Sequence, residues 1–247
     1  MTYDTKIGGP KNQFPATQWS AIQASISKNK SEKRRGFEVI VAAYWKPVYK
    51  LIRIKWQKSN EDAKDLTQGF FTKAIEKDYF QKYDPQKARF RTFLRTCLDG
   101  FLANEEKAAN RVKRGGGLPT LSLDFESAET ELLHQIPDKD SLDDYFDKEW
   151  ERNLFTLSLA ELRLRCETEG KIIYFEIFKR YDLNENDKVS YENLAAEFNL
   201  PPTKVTNYLA YARRELRRIL LKKLREITAD ENEFQSEARS LLGIDLK

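Results

Sequence analysis

A chain of 247 residues has room for one large domain or two small ones, and two is the expected number because compact domains cluster near roughly 100 to 150 residues. Apolar residues make up 40% and charged residues 33%, with 15 Phe and 4 Trp, so there is enough aromatic surface for real cores and disorder throughout is excluded. The formal net charge of +4 is modest, so a polyanionic partner has to be read from where the charges fall rather than from their sum.

Residues 1–32 hold Gly8-Gly9-Pro10 and Pro15, then a short apolar signal at Trp19, Ile22 and Ile26, and read as a leader with one short helix. From Lys33 to Trp56 the apolar residues Phe37, Ile40, Val41, Tyr44, Val48, Leu51 and Ile52 recur at helical spacing, with Pro47 expected to bend or restart the helix. Ser59-Asn60 offers an N-cap, Glu61 and Asp62 put negative charge in the first turn, and Ala63, Leu66, Phe70 and Ala74 line one face. Asp84-Pro85 reads as a cap and first-turn proline for a third helix along Phe90, Phe93, Leu94, Cys97, Leu98, Phe101 and Leu102, ending at Gly115-Gly116-Gly117.

These elements make a first helical domain over 33–115. Residues 116–146 are acidic and broken by Pro119 and Pro137, and read as a linker. A second helical domain spans 147–228. Its first helix is marked by Trp150, Leu154, Leu157, Ala160 and Leu164, its second runs from Ile172 to Tyr181, Ser190 caps a third to about Phe198, and Pro201-Pro202 opens a long last helix with Val205, Leu209, Ala212 and Leu216 on one side. Residues 229–247 form a tail with a short helix. There is no internal repeat and no strand-like alternation, so the fold class is all-α, two small helical domains joined by an acidic linker.

No stretch approaches the roughly 20 apolar residues that span a bilayer, and Met1 to Pro10 lacks the apolar run of a secretory signal, so a soluble cytoplasmic protein with no membrane partner is expected. Cys97 and Cys166 each sit in a helical apolar pattern, which fits buried thiols in a reducing compartment better than a disulfide. The charge is strongly segregated. Lys87 to Arg114 carries eight basic residues against three acidic, Thr203 to Arg225 carries eight against one, and Ser122 to Glu151 between them holds eleven acidic residues and two lysines. Two basic modules on an acidic connector suit a polyanion held at two places.

Chemistry has little material. The single histidine, His134, lies in the acidic linker, so a histidine-based triad, general base or zinc site is not built. Gly115 to Gly117 lacks the Lys-Ser/Thr that completes a phosphate loop and reads as a hinge. Asp182, Asn184, Asn186 and Ser190 imitate calcium-loop positions one, three, five and nine, but Asp187 stands where glycine is needed and Asn193 where a bidentate glutamate is needed. Glu61, Asp62, Asp65, Glu105 and Glu106 could be drawn as a two-metal cluster, yet the first three lie on the outward face of an amphipathic helix. No metal, no cofactor and no enzymatic activity are expected.

Tyr191 to Arg218 has the pattern of a helix-turn-helix: a short helix with small residues at Ala195-Ala196, a tight turn at Phe198 to Leu200, and a second helix with Val205 and Leu209 facing inward. With those two buried, Lys204, Thr206, Asn207, Tyr211 and Arg214 project outward near its start, where a recognition helix reaches base edges in the major groove.

These segments together resemble the extracytoplasmic-function (ECF) type of the sigma-70 family, bacterial RNA polymerase specificity factors. Glu61 to Phe71 resembles the acidic helix of sigma region 2 that docks on the clamp helices of the polymerase beta-prime subunit. Phe90 to Arg114 is similar to the part of region 2 that melts and holds the minus-ten element. Tyr191 to Phe198 and Val205 to Arg218 resemble the region 4 helix-turn-helix, which binds the minus-thirty-five element.

The resemblance covers roughly residues 33 to 115 and 147 to 225 and implies core polymerase, through the beta-prime clamp helices and the beta flap, and promoter DNA as partners. It leaves room for an anti-sigma factor and implies a monomer when free. It assigns Asp62, Asp65, Gln68 and Phe71 to polymerase. It assigns Tyr83, Arg91, Arg95, Asn104, Lys107 and Arg111 to the opened minus-ten strand, where an aromatic face stacks a base and cations neutralise phosphate. Lys204, Thr206, Asn207, Tyr211, Arg213 and Arg214 fall to the minus-thirty-five duplex. Gly100, Phe93, Gly69 and Tyr211 stand where the family more often has asparagine, tryptophan, glutamate and arginine, which bears on promoter sequence rather than class. A sigma factor of this kind requires two compact bodies on an acidic tether and an open outer side on the helix at Val205. The alternative class is a stand-alone helix-turn-helix regulator, dimeric on palindromic sites. A carboxylate-based, magnesium-dependent nuclease is the third.

Overall fold

The computed structural model describes residues 20–109, 123–133, 142–184 and 189–243, and among them there are helices and turns but no strand. The helices are α1 Ala21–Ser25, α2 Lys30–Lys55, α3 Asn60–Glu76, α4 Phe90–Ala109, α5 Phe125–Leu133, α6 Leu142–Thr168, α7 Ile172–Asp182, α8 Tyr191–Glu197, α9 Pro202–Glu226 and α10 Glu231–Leu242, with a 3₁₀ turn at Tyr79–Lys82 before α4. No helix among these residues is long and apolar enough to cross a membrane. His134, Gly115 to Gly117 and Arg111 lie outside the described residues.

Helix α2 is the centre of the first body. Asn29 caps it by accepting from the Ser31 N–H at 2.9 Å and the Glu32 N–H at 3.3 Å, as a short acceptor side chain does at this position. Its partner α1 belongs to the core rather than to a loose leader: Ala21 and Ile22 are buried against it. The two backbones approach so closely that a Cβ on Gly36 would stand 2.5 Å from the Ala21 carbonyl oxygen and 2.6 Å from the Ser25 nitrogen, so only glycine fits there.

The helix does not restart at Pro47 but continues to Lys55, and the reason lies on another helix. Proline has no N–H to give to the carbonyl four residues back, here that of Ala43. The Asn153 side-chain amide of α6 donates to the Ala42 and Ala43 carbonyls, 2.9 Å each, and is itself buried. Three residues away on α2, Lys50 is 2% exposed and bridges Glu149 of α6 at 2.6 Å and Glu131 of α5 at 2.8 Å. The helix runs on because α6 completes its hydrogen bonding. Replacing Asn153 by Ala leaves a buried carbonyl unsatisfied, so urea unfolding is expected to show a loss of about 1–3 kcal/mol.

Buried at every fourth position along α6 are Phe146, Trp150, Leu154, Ser158, Leu162 and Cys166, with Tyr145, Glu149 and Asn153 buried beside the first of them. A spacing of four overshoots a 3.6-residue turn by about 40°, so over this run the stripe winds about 200° around the helix. Its first half therefore faces one core and its second half another. Phe146, Trp150 and Leu154 pack with α1 to α5, while Leu162 and Cys166 pack with α7 to α9. The sequence pattern through Leu157, Ala160 and Leu164 was the wrong face: Ala160 and Leu164 are exposed.

Helix α9 crosses in the same way, with Val205, Leu209, Ala212, Leu216 and Ile219 in the second cluster and Leu220 and Leu224 in the first. Two apolar clusters thus exist, but two continuous helices run from one to the other, and the boundary expected at 146/147 falls inside α6. Within the expected tail, α10 buries Phe234 and Ala238 in the first cluster and so belongs to that core.

The described part of the acidic connector is structural too. α5 lies on α2, where Glu129 accepts from the Arg53 guanidinium at 2.5 and 3.0 Å and from the Tyr49 hydroxyl at 2.5 Å, and Glu131 pairs with Lys46 at 2.8 Å. Acidic residues chosen to neutralise a basic helix read, in sequence alone, as a solvated tether. The Arg53 hydrogen bond holds the Glu129 carboxyl below the usual 4.5, and at Glu131 the lysines outweigh the opposing effect of burial. A carboxylate depressed in the folded state contributes stability that is present above about pH 4.5 and lost as pH falls through the lowered value. Melting temperature against pH should drop below pH 4.5, and Glu129→Gln should shallow that acid limb.

Candidate nucleic-acid interface

Helices α8 and α9 pack together in the second cluster across the turn expected at Phe198 to Leu200, and the turn is set by backbone geometry. Ser190 caps α8 by accepting from the Asn193 N–H at 3.1 Å. At its other end Asn199 takes the left-handed conformation, φ +52°, the Leu200 N–H donates to the Ala195 carbonyl at 2.8 Å and the Asn199 N–H to that of Ala196 at 3.2 Å. This is a Schellman closure with asparagine in place of the usual glycine. Pro201 and Pro202 then start α9, where a missing N–H costs nothing. Ala at position 199 should lower stability by about 1 kcal/mol, because its Cβ opposes the left-handed region without a polar side chain to compensate; Asn199→Gly should change little in the same denaturation measurement.

Val205 and Leu209 are buried, and Lys204, Thr206 and Asn207 are exposed at the start of α9. Further along, Arg214, Arg217 and Arg218 are exposed. At 100° per residue Arg214 and Arg218 fall about 20° to either side of Asn207, with Arg217 about 60° beyond Arg214. Sequence reasoning named Arg214 but not Arg217 or Arg218, although the i, i+7, i+11 spacing from Asn207 was available to it.

Tyr211 and Arg213 are differently placed. The Tyr211 hydroxyl donates to Glu169 at 2.8 Å and accepts from Lys171 at 3.3 Å, which ties its half-buried ring to the α6–α7 corner. Arg213 makes a bidentate pair with Asp182 at 2.8 and 2.9 Å and lies over the Tyr181 ring, so its charge holds α9 to α7 and is already matched. The same pair occupies Asp182, the first position of the calcium-like segment, while Ser190, its ninth, is the α8 cap; residues 185–188 are outside the described residues.

In the first body, Asp62 and Asp65 are exposed on α3, with Asp62 accepting from the capping Ser59 hydroxyl at 2.8 Å. Gln68 is half-buried. Phe71 is a correction: it is wholly buried, edge-on to Phe70 and Phe37 at 5.1 and 6.2 Å, and is a core residue rather than a contact for a partner. On α4, Asn104 and Lys107 are exposed and Arg95 is half-buried.

Arg91 is a second correction. It is 6% exposed, between Asp147 at 3.3 Å and Glu237 at 3.0 Å, with its guanidinium 4.9 Å above the Trp150 ring. Tyr83 is half-buried against Phe90 and Phe93 at 5.1 and 5.3 Å, and its hydroxyl donates to Glu233 at 3.2 Å. Asp84-Pro85 does not cap α4: Asp84 closes a local turn by accepting from the Gln86 N–H at 3.0 Å. The helix starts at Phe90, whose N–H donates to Glu233 at 2.6 Å, a cap 143 residues away that no local pattern reveals.

The carboxylates drawn as a metal cluster are dispersed among lysines, with Glu61 on Lys64 at 2.9 Å, Glu105 on Lys73 at 3.0 Å and Glu106 on Lys58 at 2.9 Å. Among the described residues no group of three His, Cys, Asp or Glu side chains could hold a metal. Both cysteines are free thiols, and burial pushes Cys97 up to about 11.

The arrangement therefore offers an exposed polar and basic side on a helix that follows a Schellman turn, and a separate acidic edge on α3. Comparison with protein-family models, with curated proteins and with solved structures finds no match to this chain.

Proposed function

We propose that this chain is a transcription initiation factor of the sigma-70 family's ECF type, with α8 and α9 as its duplex-reading element, α3 as its polymerase-docking edge and α4 as its strand-binding helix. The observation that carries this is the open outer side of α9. Val205 and Leu209 turn inward while Lys204, Thr206, Asn207, Arg214, Arg217 and Arg218 stay exposed. That is the geometry by which a recognition helix places polar side chains on base edges and cations on phosphates. The exposed Asp62 and Asp65, and the exposed Asn104 and Lys107, fit the two other roles. Phe71 supports its role only from inside, by packing α3. The acidic tether that this class requires is not what the described residues form, since α5 packs on α2 and both α6 and α9 run through the two clusters, and this favours the second reading below.

A stand-alone regulator using the helix-turn-helix without polymerase is the second reading, favoured by the burial of Arg91 and by the helices shared between clusters. It predicts a dimer on symmetric sites, whereas a sigma factor predicts a monomer on two unlike elements.

Run-off transcription with bacterial core polymerase tests the proposal. Initiation from specific sites is expected, Asp65→Ala should weaken core binding with DNA affinity nearly unchanged, and Arg214→Ala should weaken duplex binding and lower the log–log salt slope by about 1. Absence of core binding together with a dimeric mass in light scattering would reject it for the second reading.

A further inference from the structure

Helix α10 lies across the side of the first body that carries Tyr83, Arg89 and Arg91, and it meets that side with carboxylates. Glu233 accepts from the Phe90 N–H at the start of α4, from the Tyr83 hydroxyl, and from the Ala229 N–H at 2.7 Å. Glu237, 3% exposed at its side chain, faces Arg91 at 3.0 Å and Arg89 at 3.6 Å, and Ser236 accepts from Arg89 at 2.8 Å. A helix N-terminus, a phenol and two guanidiniums are the donors that a chain of phosphates also uses. Here two glutamates stand in their place.

The seating of α10 is divided in its energetics. Phe234 and Ala238 are buried and Arg225 lies 3.7 Å over the Phe234 ring, which favours the docked state. Against that, burial outweighs the attraction of Arg91 and Arg89 and pushes the Glu237 carboxyl above its usual range, so the charge is held in place at a cost. The helix follows α9 after the short Ile227 to Asp230 connection, so it can leave without interrupting α9.

We infer that α10 is an acidic cover over the strand-binding side of the first body, with Glu233 and Glu237 occupying the donors that the phosphates of single-stranded DNA take once the helix is displaced. This rests on the reading that the first body binds a strand. A protein whose binding-competent state is a minor population shows an affinity reduced by that fraction, so loosening the cover raises strand affinity without adding a contact.

The test uses the full chain and a fluorescein-labelled single-stranded oligonucleotide of mixed sequence, with the same sequence as duplex for comparison, followed by anisotropy at low salt. Hydrogen exchange over 231–242 reports the cover. Glu233→Gln is expected to speed that exchange and tighten strand binding about tenfold, with duplex binding unchanged. Ser236→Asp, which adds an acceptor beside Arg89, is expected to slow exchange and weaken strand binding. Faster exchange in Glu233→Gln with unchanged strand affinity, while Lys107→Ala still weakens the strand, overturns the cover and leaves the strand-binding reading standing. No strand binding by wild type or Glu233→Gln overturns both. Should Glu233→Gln fail to fold, unchanged strand affinity in Ser236→Asp overturns the cover on its own.

Discussion

The seating of α6 on α2 is the contact on which the rest of the structure depends. Pro47 leaves the Ala43 carbonyl without its helical donor, and Asn153 supplies one from α6. Beside it Lys50 and Glu149, 2% and 1% exposed, are paired at 2.6 Å. Neither helix is complete alone: α2 would carry an unsatisfied carbonyl and a buried cation, α6 a buried amide and a buried carboxylate. A buried ion pair of this kind adds little net stability over an apolar pair, but breaking it by removing one partner is strongly destabilising. Its consequence is registration. With Asn153 and Glu149 fixed on α2, the winding stripe of α6 is fixed too, and Leu162 and Cys166 arrive at a set angle to receive α7 and α9.

Electrostatics then sorts the basic residues into two kinds. Lys46, Lys50 and Arg53 of α2 are matched by Glu131, Glu149 and Glu129, and Arg213 by Asp182. Those charges hold helices together. Lys204, Arg214 and Arg217 project into solvent from the outer side of α9. A polyanion gains affinity by releasing the counterions around cations that are still exposed to water, so under the proposed function it is the second kind that a nucleic acid would meet, even though both kinds contribute equally to the sequence charge.

This division explains what the sequence could and could not reveal. The all-helical class and the α8–α9 turn were legible, because the Ser190 cap, the small Ala195-Ala196 pair, Pro201-Pro202 and the Val205 and Leu209 spacing are local signals. Tyr191 to Arg218 could be placed from them alone. Long-range partners were not legible. Glu129 and Glu131 look like a solvated linker until α2 is seen beneath them. Arg91 looks like a free cation until Asp147, Trp150 and Glu237 surround it. Phe71 fell on the contact side of α3 by resemblance, whereas Phe37 and Phe70 claim it for the core. The spacing-of-four stripe on α6 was visible but was read as a single face, which a helix serving two cores does not have.

The same reasoning applies to the chain's far end. α4 begins at Phe90 behind Arg89, whose side chain accepts nothing, so the first turn has no cap from its own N-cap residue. Glu233 supplies one from α10, and in doing so ties the last helix to the helix that bears Asn104 and Lys107. A cap placed so far along the chain makes the start of α4 conditional on the docking of α10. When α10 leaves, the same N–H group, with Tyr83 and Arg89 beside it, is open to another anion. In the proposed cover, α10 and a phosphate therefore compete for one set of donors.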